Sequence, residues 1–199
     1  MTAQIADIVF YRGKPYSLAG ISGERELFDP GSHGMKARGT CTACGRGYHC
    51  TYAIGDGGQL ILRDLAINLE LTAAITGVSH PLPISAPELF GVNPNKDPEK
   101  DGWFNHSYKD MSGPIPFTGG LLIADDFIRE LYVHMGFHPA WKYREVHELI
   151  FEQGLLKSAT DRSNQMAQLR EGIKVESLKP NRTADIGAWV EKCFSLKYS

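Results

Sequence analysis

Cys41 and Cys44, separated by two residues, with His49 and Cys50 close behind, are the ligand types and first spacing of a zinc site. A tight turn between two cysteines lets both sulfurs face one ion. The pattern stops there. A fourth ligand is needed a few residues after the histidine, and Thr51 to Leu65 offers only the carboxylates Asp56 and Asp64. If Tyr48 to Ile54 is a strand, its period of two also sends His49 and Cys50 to opposite faces. The favoured reading is structural, with Cys44 and Cys50 as small buried residues, His49 solvated and no resident cofactor. Zinc held by Cys41, Cys44, His49 and Cys50 is the alternative. A redox or nucleophilic Cys-x-x-Cys is a third, although this one does not open a helix within a βαβ unit, where a depressed thiol pKa arises.

The segment Tyr132 to Trp141 carries His134 and His138, four apart, and His147-Glu148 follows. On an unbroken helix that spacing aims both rings at one metal, but Gly136 and Pro139 interrupt it and the metalloprotease glutamate is missing. A histidine and aromatic cluster of this kind also fits a loop packed on the core, or a recognition surface. The acidic set Asp125, Asp126 and Glu130, with Glu24, Glu26 and Asp29 elsewhere, reads first as helix capping and next as an acid-base pair or a surface for a basic partner. There is no phosphate loop, no Gly-x-Ser-x-Gly elbow and no dinucleotide fingerprint. Gly113 to Gly120 is rich in Gly and Pro but lacks the Lys-Ser/Thr ending.

These residues must be positioned by mostly β elements. A β-branched run from Ile5 to Tyr11, turn residues around Gly13 and an apolar Tyr16 to Ile21 predict a first hairpin. Leu27 and Phe28 anchor the loop that follows. Alternation over Tyr48 to Ile54, the turn Gly55-Asp56-Gly57-Gly58 and a second run to Leu69 predict another hairpin, and Tyr143 to Phe151 with a turn at Gly154 predicts a third. Leu121 to Ile123 reads as a buried strand, with Asp125 or Asp126 capping a short helix near 125–136 whose face is Phe127, Leu131 and Met135. Five prolines between Pro81 and Gly113 predict a long irregular excursion over about 80–116, held down by Trp103, Phe104 and Tyr108. Two C-terminal helices are expected, one marked by Met166, Leu169 and Ile173, the other capped by Thr183 with Trp189 on its apolar face. The expectation is a single α+β domain over 1–199, β-rich, its antiparallel hairpins forming one or two sheets. Ile21-Ser22 leading to Glu26-Leu27-Phe28 is echoed by Ile84-Ser85 leading to Glu88-Leu89-Phe90, the faint trace of a duplicated β unit.

With 199 residues, 42% of them hydrophobic, the chain can bury a sizeable core without staples. Its 21 Lys plus Arg against 23 Asp plus Glu give a net charge of −2, so no broad positive field draws nucleic acid; Arg12, Lys14, Lys36, Arg38 and Arg46 are the residues that would have to adjoin to make one. The first residues lack the basic start and apolar run of a secretory signal, and four cysteines are too sparse for a disulfide scaffold. The cytoplasm is the expected compartment, with no membrane span. Thr42-Ala43-Cys44-Gly45-Arg46-Gly47-Tyr48 and Pro116-Phe117-Thr118-Gly119 resemble segments of small uncharacterised bacterial proteins, whose pattern has no known activity. In that pattern the cysteine at 44 recurs while Cys41, His49 and Cys50 do not. The functional expectation is a protein-binding module, such as an immunity protein neutralising a cognate bacterial toxin. Its candidate contact residues are Arg46, Tyr48, His49, Asp125, Asp126, His134, His138 and Trp141. The competing expectation is a small hydrolase or transferase using His134, His138 or His147 with Glu148 or Asp126, with or without zinc.

Overall fold

The computed structural model describes residues 2–23, 26–39, 41–70, 72–73, 82–83, 86–96, 103–172, 193 and 195–198. The first hairpin pairs β1 (Ile8–Tyr11) with β2 (Lys14–Gly23) across Arg12 and Gly13, whose φ values of 52° and 75° are the left-handed pair that a two-residue turn needs to match strand twist. β3 (Tyr48–Ile54) and β4 (Leu60–Ile67) form the second, and β10 (Tyr143–Glu152) and β11 (Leu155–Asp161) the third, turning at Gln153 and Gly154 with φ of 49° and 81°. All three expected hairpins are present.

Among the described residues nine strands share one sheet in the order β11-β10-β9-β2-β1-β3-β4-β7, with β8 also on β4; here β7 is His106–Tyr108, β8 is Gly113–Pro114 and β9 is Gly119–Phe127. β5 (Thr72–Ala73) and β6 (Leu82–Pro83) make a separate two-stranded pair. The sheet is mixed rather than built from antiparallel hairpins alone, because β1 and β3 run parallel, Ile8 beside Thr51 and Phe10 beside Ala53. It also curls on itself. Gln59 bridges Leu155, and the Leu156 amide donates to the Gly58 carbonyl at 2.8 Å, so the start of β11 meets the start of β4. Val9, Leu18, Tyr52, Leu62, Leu121, Ile123, Leu149 and Phe151 fill the concave side, all at or below 1% exposure. On the other side Leu122, Ala124, Tyr143 and Val146 pack with Met166 of the helix α1 (Ser163–Gly172).

The helix expected near 125–136 is not formed. Its first residues belong to β9, which continues to Phe127 between β2 and β10, and only a single 3-10 turn follows at Arg129–Leu131. A central strand satisfies its backbone on both sides, and Asp125 is held there by Lys14 at 2.8 Å from across the sheet. Asp126, at φ 56°, ends the regular run. Of the two expected C-terminal helices, α1 is the first, although Leu169 is 47% exposed rather than packed. Most of the second, from Thr183 through Trp189, lies outside the described residues. Among the described residues of the 80–116 excursion the strands are the short pieces β6, β7 and β8. Among the described residues no helix is long and apolar enough to cross a membrane.

Candidate functional site

Just past the end of β2, Leu27 and Phe28 sink into the core at 8% and 4% exposure and fix the path of the exposed Glu26 and Asp29 beside them. Asp29 caps the 3-10 turn Pro30–His33, its Oδ1 accepting from the Gly31 amide at 2.9 Å, with Pro30 preset for the first position and Gly34 closing the turn in the left-handed region. The turn lays the His33 ring nearly parallel to Phe28, centroids 5.2 Å apart at 22°. Phe90 meets His33 edge-on, also at 5.2 Å. Phe28 in turn stands edge-on to Tyr48 at 6.4 Å, and the Tyr48 hydroxyl lies 3.3 Å from the Phe28 carbonyl and 3.4 Å from the Glu26 carboxylate. Tyr48, Phe28, His33 and Phe90 thus form a continuous run of rings.

Phe90 sits in a tight turn, with Leu89 and Val92 exchanging both backbone hydrogen bonds at 3.0 Å. Its φ of 49° is uncommon for a bulky side chain, and strain of that kind persists only where packing over-determines it. The ring lies against Gly113, where a side chain would displace it. Opposite the rings run Pro114 to Thr118, and between the two walls is a cleft of about 1080 Å³. A second cleft of about 460 Å³ shares Gly23, Glu26, Leu27 and Phe28 with the first and extends past Tyr48 to Arg46, Asp7 and Ser195–Lys197. The Glu-Leu-Phe echo has a spatial counterpart here, since Phe28 and Phe90 flank the same histidine.

Arg46 and Tyr48, both candidates from the sequence, line the smaller cleft. Arg46 also holds the fold together: its guanidinium pairs with both oxygens of the buried Asp7, its Nε donates to the Tyr48 carbonyl at 2.8 Å, and it stacks over the Tyr48 ring at 4.6 Å. The other candidates are elsewhere. His49 is tied by Nε2 to the Ala6 carbonyl at 2.9 Å. Asp126 pairs with Arg144 at 3.0 Å, and His134 is bonded through Nδ1 to the Tyr132 hydroxyl at 2.8 Å. His138 packs on Phe127 at 4.7 Å with its Nδ1 buried and unbonded among the described residues, and burial pushes its pKa down to about 4. Trp141 is half-buried and its carbonyl accepts from Arg170 at 2.9 Å.

In the cysteine cluster His49 is half-buried on the Ala6 carbonyl rather than solvated. Cys41 and Cys44 are free thiols whose backbones form a tight bridge, the Cys44 thiol donates to the Tyr48 carbonyl at 3.3 Å, and Cys50 is fully buried. Burial pushes both the Cys44 and Cys50 thiols up, away from the thiolate of a nucleophilic cysteine. Among the described residues no three His, Cys, Asp or Glu are grouped to hold a metal ion. The catalytic pairings are not assembled either. His147 and Glu148 point to opposite faces: Glu148 is taken by Arg162 at 2.6 Å and by the Tyr198 hydroxyl at 3.1 Å, while His147 faces Tyr11 and Tyr16. Of the five cations, Lys14, Lys36 and Arg46 each pair with a carboxylate and Arg12 lies over Tyr11.

Asp125 belongs to a network that the sequence did not suggest. Lys14 bridges Asp125 and Glu145, the Tyr16 hydroxyl donates to Glu145 at 2.6 Å, and His147 Nε2 lies 3.3 Å away. Lys14, with Tyr16, holds the Glu145 carboxyl down at about 2, against an ordinary 4.5. A carboxyl depressed by folding stabilises above its ordinary value and loses that contribution as pH falls through the folded value. Thermal stability is therefore expected to decline between about pH 4.5 and 2, less steeply in Glu145→Gln. Melting temperatures of both proteins across that range check it, and superimposable curves would remove Glu145 from the account.

Comparison of the chain with protein-family models, with curated proteins and with solved structures finds no match.

Proposed function

We propose that the chain is a protein-binding module whose recognition element is the cleft between Glu26–His33 and Pro114–Thr118; in its narrower form the reading is an immunity protein that neutralises a cognate bacterial toxin by direct binding. The observation that carries it is the ring series Phe28, His33 and Phe90 along a cleft of about 1080 Å³, open at a lip bearing Glu26 and Asp29, with Tyr48 continuing the series into the smaller cleft. Aromatic anchors in a concave, partly apolar site are what binding hot spots are made of. The same cleft supports a hydrolase less well, because His33 has no hydrogen-bonded acid or base beside it among the described residues, and the histidine nearest a carboxylate, His147, faces another part of the sheet.

Capture from extracts of the native host tests the reading. A stoichiometric protein partner is expected on the unaltered chain and is expected to be lost from Phe90→Ala. A toxin encoded beside this chain and inactivated by it would establish the narrower form. No stoichiometric partner, or one indifferent to Phe90, would overturn the proposal.

A further inference from the structure

We infer that the open edge of β11, Lys157 to Asp161, is a self-association surface, pairing antiparallel with the same edge of a second copy of this chain about a two-fold axis at Ala159. The inference is independent of the cleft. β11 ends the sheet, and its first residues are already taken, because the Leu156 amide donates to the Gly58 carbonyl at 2.8 Å and Leu155 bridges Gln59. Beyond them, no strand pairs with its outer side among the described residues. Lys157 to Asp161 are all exposed. The helix α1 that follows is tied through Arg170 to the Trp141 and Tyr143 carbonyls at 2.9 and 2.7 Å, so it lies back over β10 rather than across this edge. The far side of the sheet ends in the short β7 and β8, and β8 carries Pro114, which has no amide to offer. Lys157 to Asp161 contain neither proline nor glycine.

Backbone phase and side-chain register both fit a second copy. The Arg162 amide donates to the Val146 carbonyl at 2.8 Å, and bonded pairs alternate along an antiparallel ladder. Glu148 with Thr160 and Ile150 with Ser158 are then the bonded pairs, and Leu149 with Ala159 and His147 with Asp161 lie between them. Ala159 and Asp161 therefore turn their amides and carbonyls away from β10. An axis at Ala159 lets its amide and carbonyl bond those of its own symmetry mate, with only two methyl groups meeting there. The same register sets Ser158 beside Thr160 and Lys157 beside Asp161 of the second copy, one hydroxyl pair and one opposite-charge pair on each side of the axis. Lys157 is the extra residue of the bulge near Ile150 and has no partner on β10, so its long side chain is available to reach across. Lys157 also meets Glu152 at 3.2 Å, and Asp161 accepts from the Ser163 amide at 2.8 Å. An ammonium has three donors and a carboxylate two oxygens, so each keeps capacity for the cross-strand pair. Any other axis on this edge leaves at least one of the two charges without its counterpart.

The test is sedimentation velocity of the full chain over a range of concentrations. Five residues per strand make a contact below the size of a standard stable interface, so the chain is expected to pass from mostly monomer at about 10 µM to mostly dimer at about 500 µM. Lys157→Glu places like charges beside each other on both sides of the axis and is expected to weaken the dimer at least about tenfold, as is Asp161→Lys. An equimolar mixture of the two variants restores both opposite-charge pairs and is expected to recover the association of wild type. Circular dichroism checks that each variant keeps its fold. Hydrogen exchange on wild type supplies a reading that needs no variant, because the Ala159 amide is expected to exchange more slowly as concentration rises. A monomer throughout the range, a dimer indifferent to Lys157→Glu, a mixture no better than its components, or Ala159 exchange independent of concentration would each overturn the inference.

Discussion

Replacing Arg46 by alanine is expected to lower the free energy of unfolding by about 3–5 kcal/mol, the range for removing one partner of a buried ion pair. Asp7 is 4% exposed, and its carboxylate accepts from both terminal nitrogens of Arg46 and from the Cys50 amide at 2.7 Å. Without the guanidinium, a buried carboxylate keeps one backbone donor and no counter-charge. The Tyr48 carbonyl loses its Nε donor and the Tyr48 ring loses the cation above it. Arg46→Lys is expected to recover part of the loss, because an ammonium restores charge but not the forked, stacked geometry. Urea unfolding with an unchanged slope would report this as a shift in midpoint. A loss below about 1 kcal/mol would show the pair to be worth no more than a surface salt bridge.

Gly119→Ala is expected to cost about 3 kcal/mol or more, combining backbone strain with a steric clash. Gly119 has φ 147°, a region L side chains rarely adopt, and pairs with Gly23 of β2 and Phe151 of β10. A methyl group there would overlap the Ser22 carbonyl and crowd the Phe117 ring, both fixed parts of the sheet. For a chain of this length the loss corresponds to a melting temperature lower by roughly 6–12 °C. Gly172→Ala, at the end of α1 with open space around it, is the control and is expected to change little. Similar melting temperatures for the two variants would refute the account of how β9 joins the cleft wall at Thr118.

What was legible in the sequence was local. The turns at Gly13 and Gly154 are readable because glycine supplies the left-handed conformation that two-residue hairpins require. Leu27 and Phe28 were readable as anchors, since large apolar residues beside a Pro-Gly turn have little else to do. Asp125 and Asp126 were misread as helix caps because carboxylates after an apolar run signal a helix start, and Lys14 and Glu145, the groups that hold Asp125 on its strand, lie far away in the chain. The parallel pairing of β1 with β3 leaves no mark on either strand's alternation. The cleft was hidden for the same reason, its rings coming from positions 28, 33 and 90. One signal pointed to it: the repeated Glu-Leu-Phe, whose two phenylalanines flank His33. Arg46 and Tyr48, candidates by residue type, line the smaller cleft, and Arg46 also holds Asp7.

The most direct test of the docking cleft is the dissociation constant of the captured partner, measured by calorimetry against wild type and Phe90→Ala. Loss of a central aromatic anchor predicts a constant about 30-fold or more weaker, the equivalent of about 2 kcal/mol, with the fold of the variant unchanged by circular dichroism. The same constant for both proteins would contradict the account.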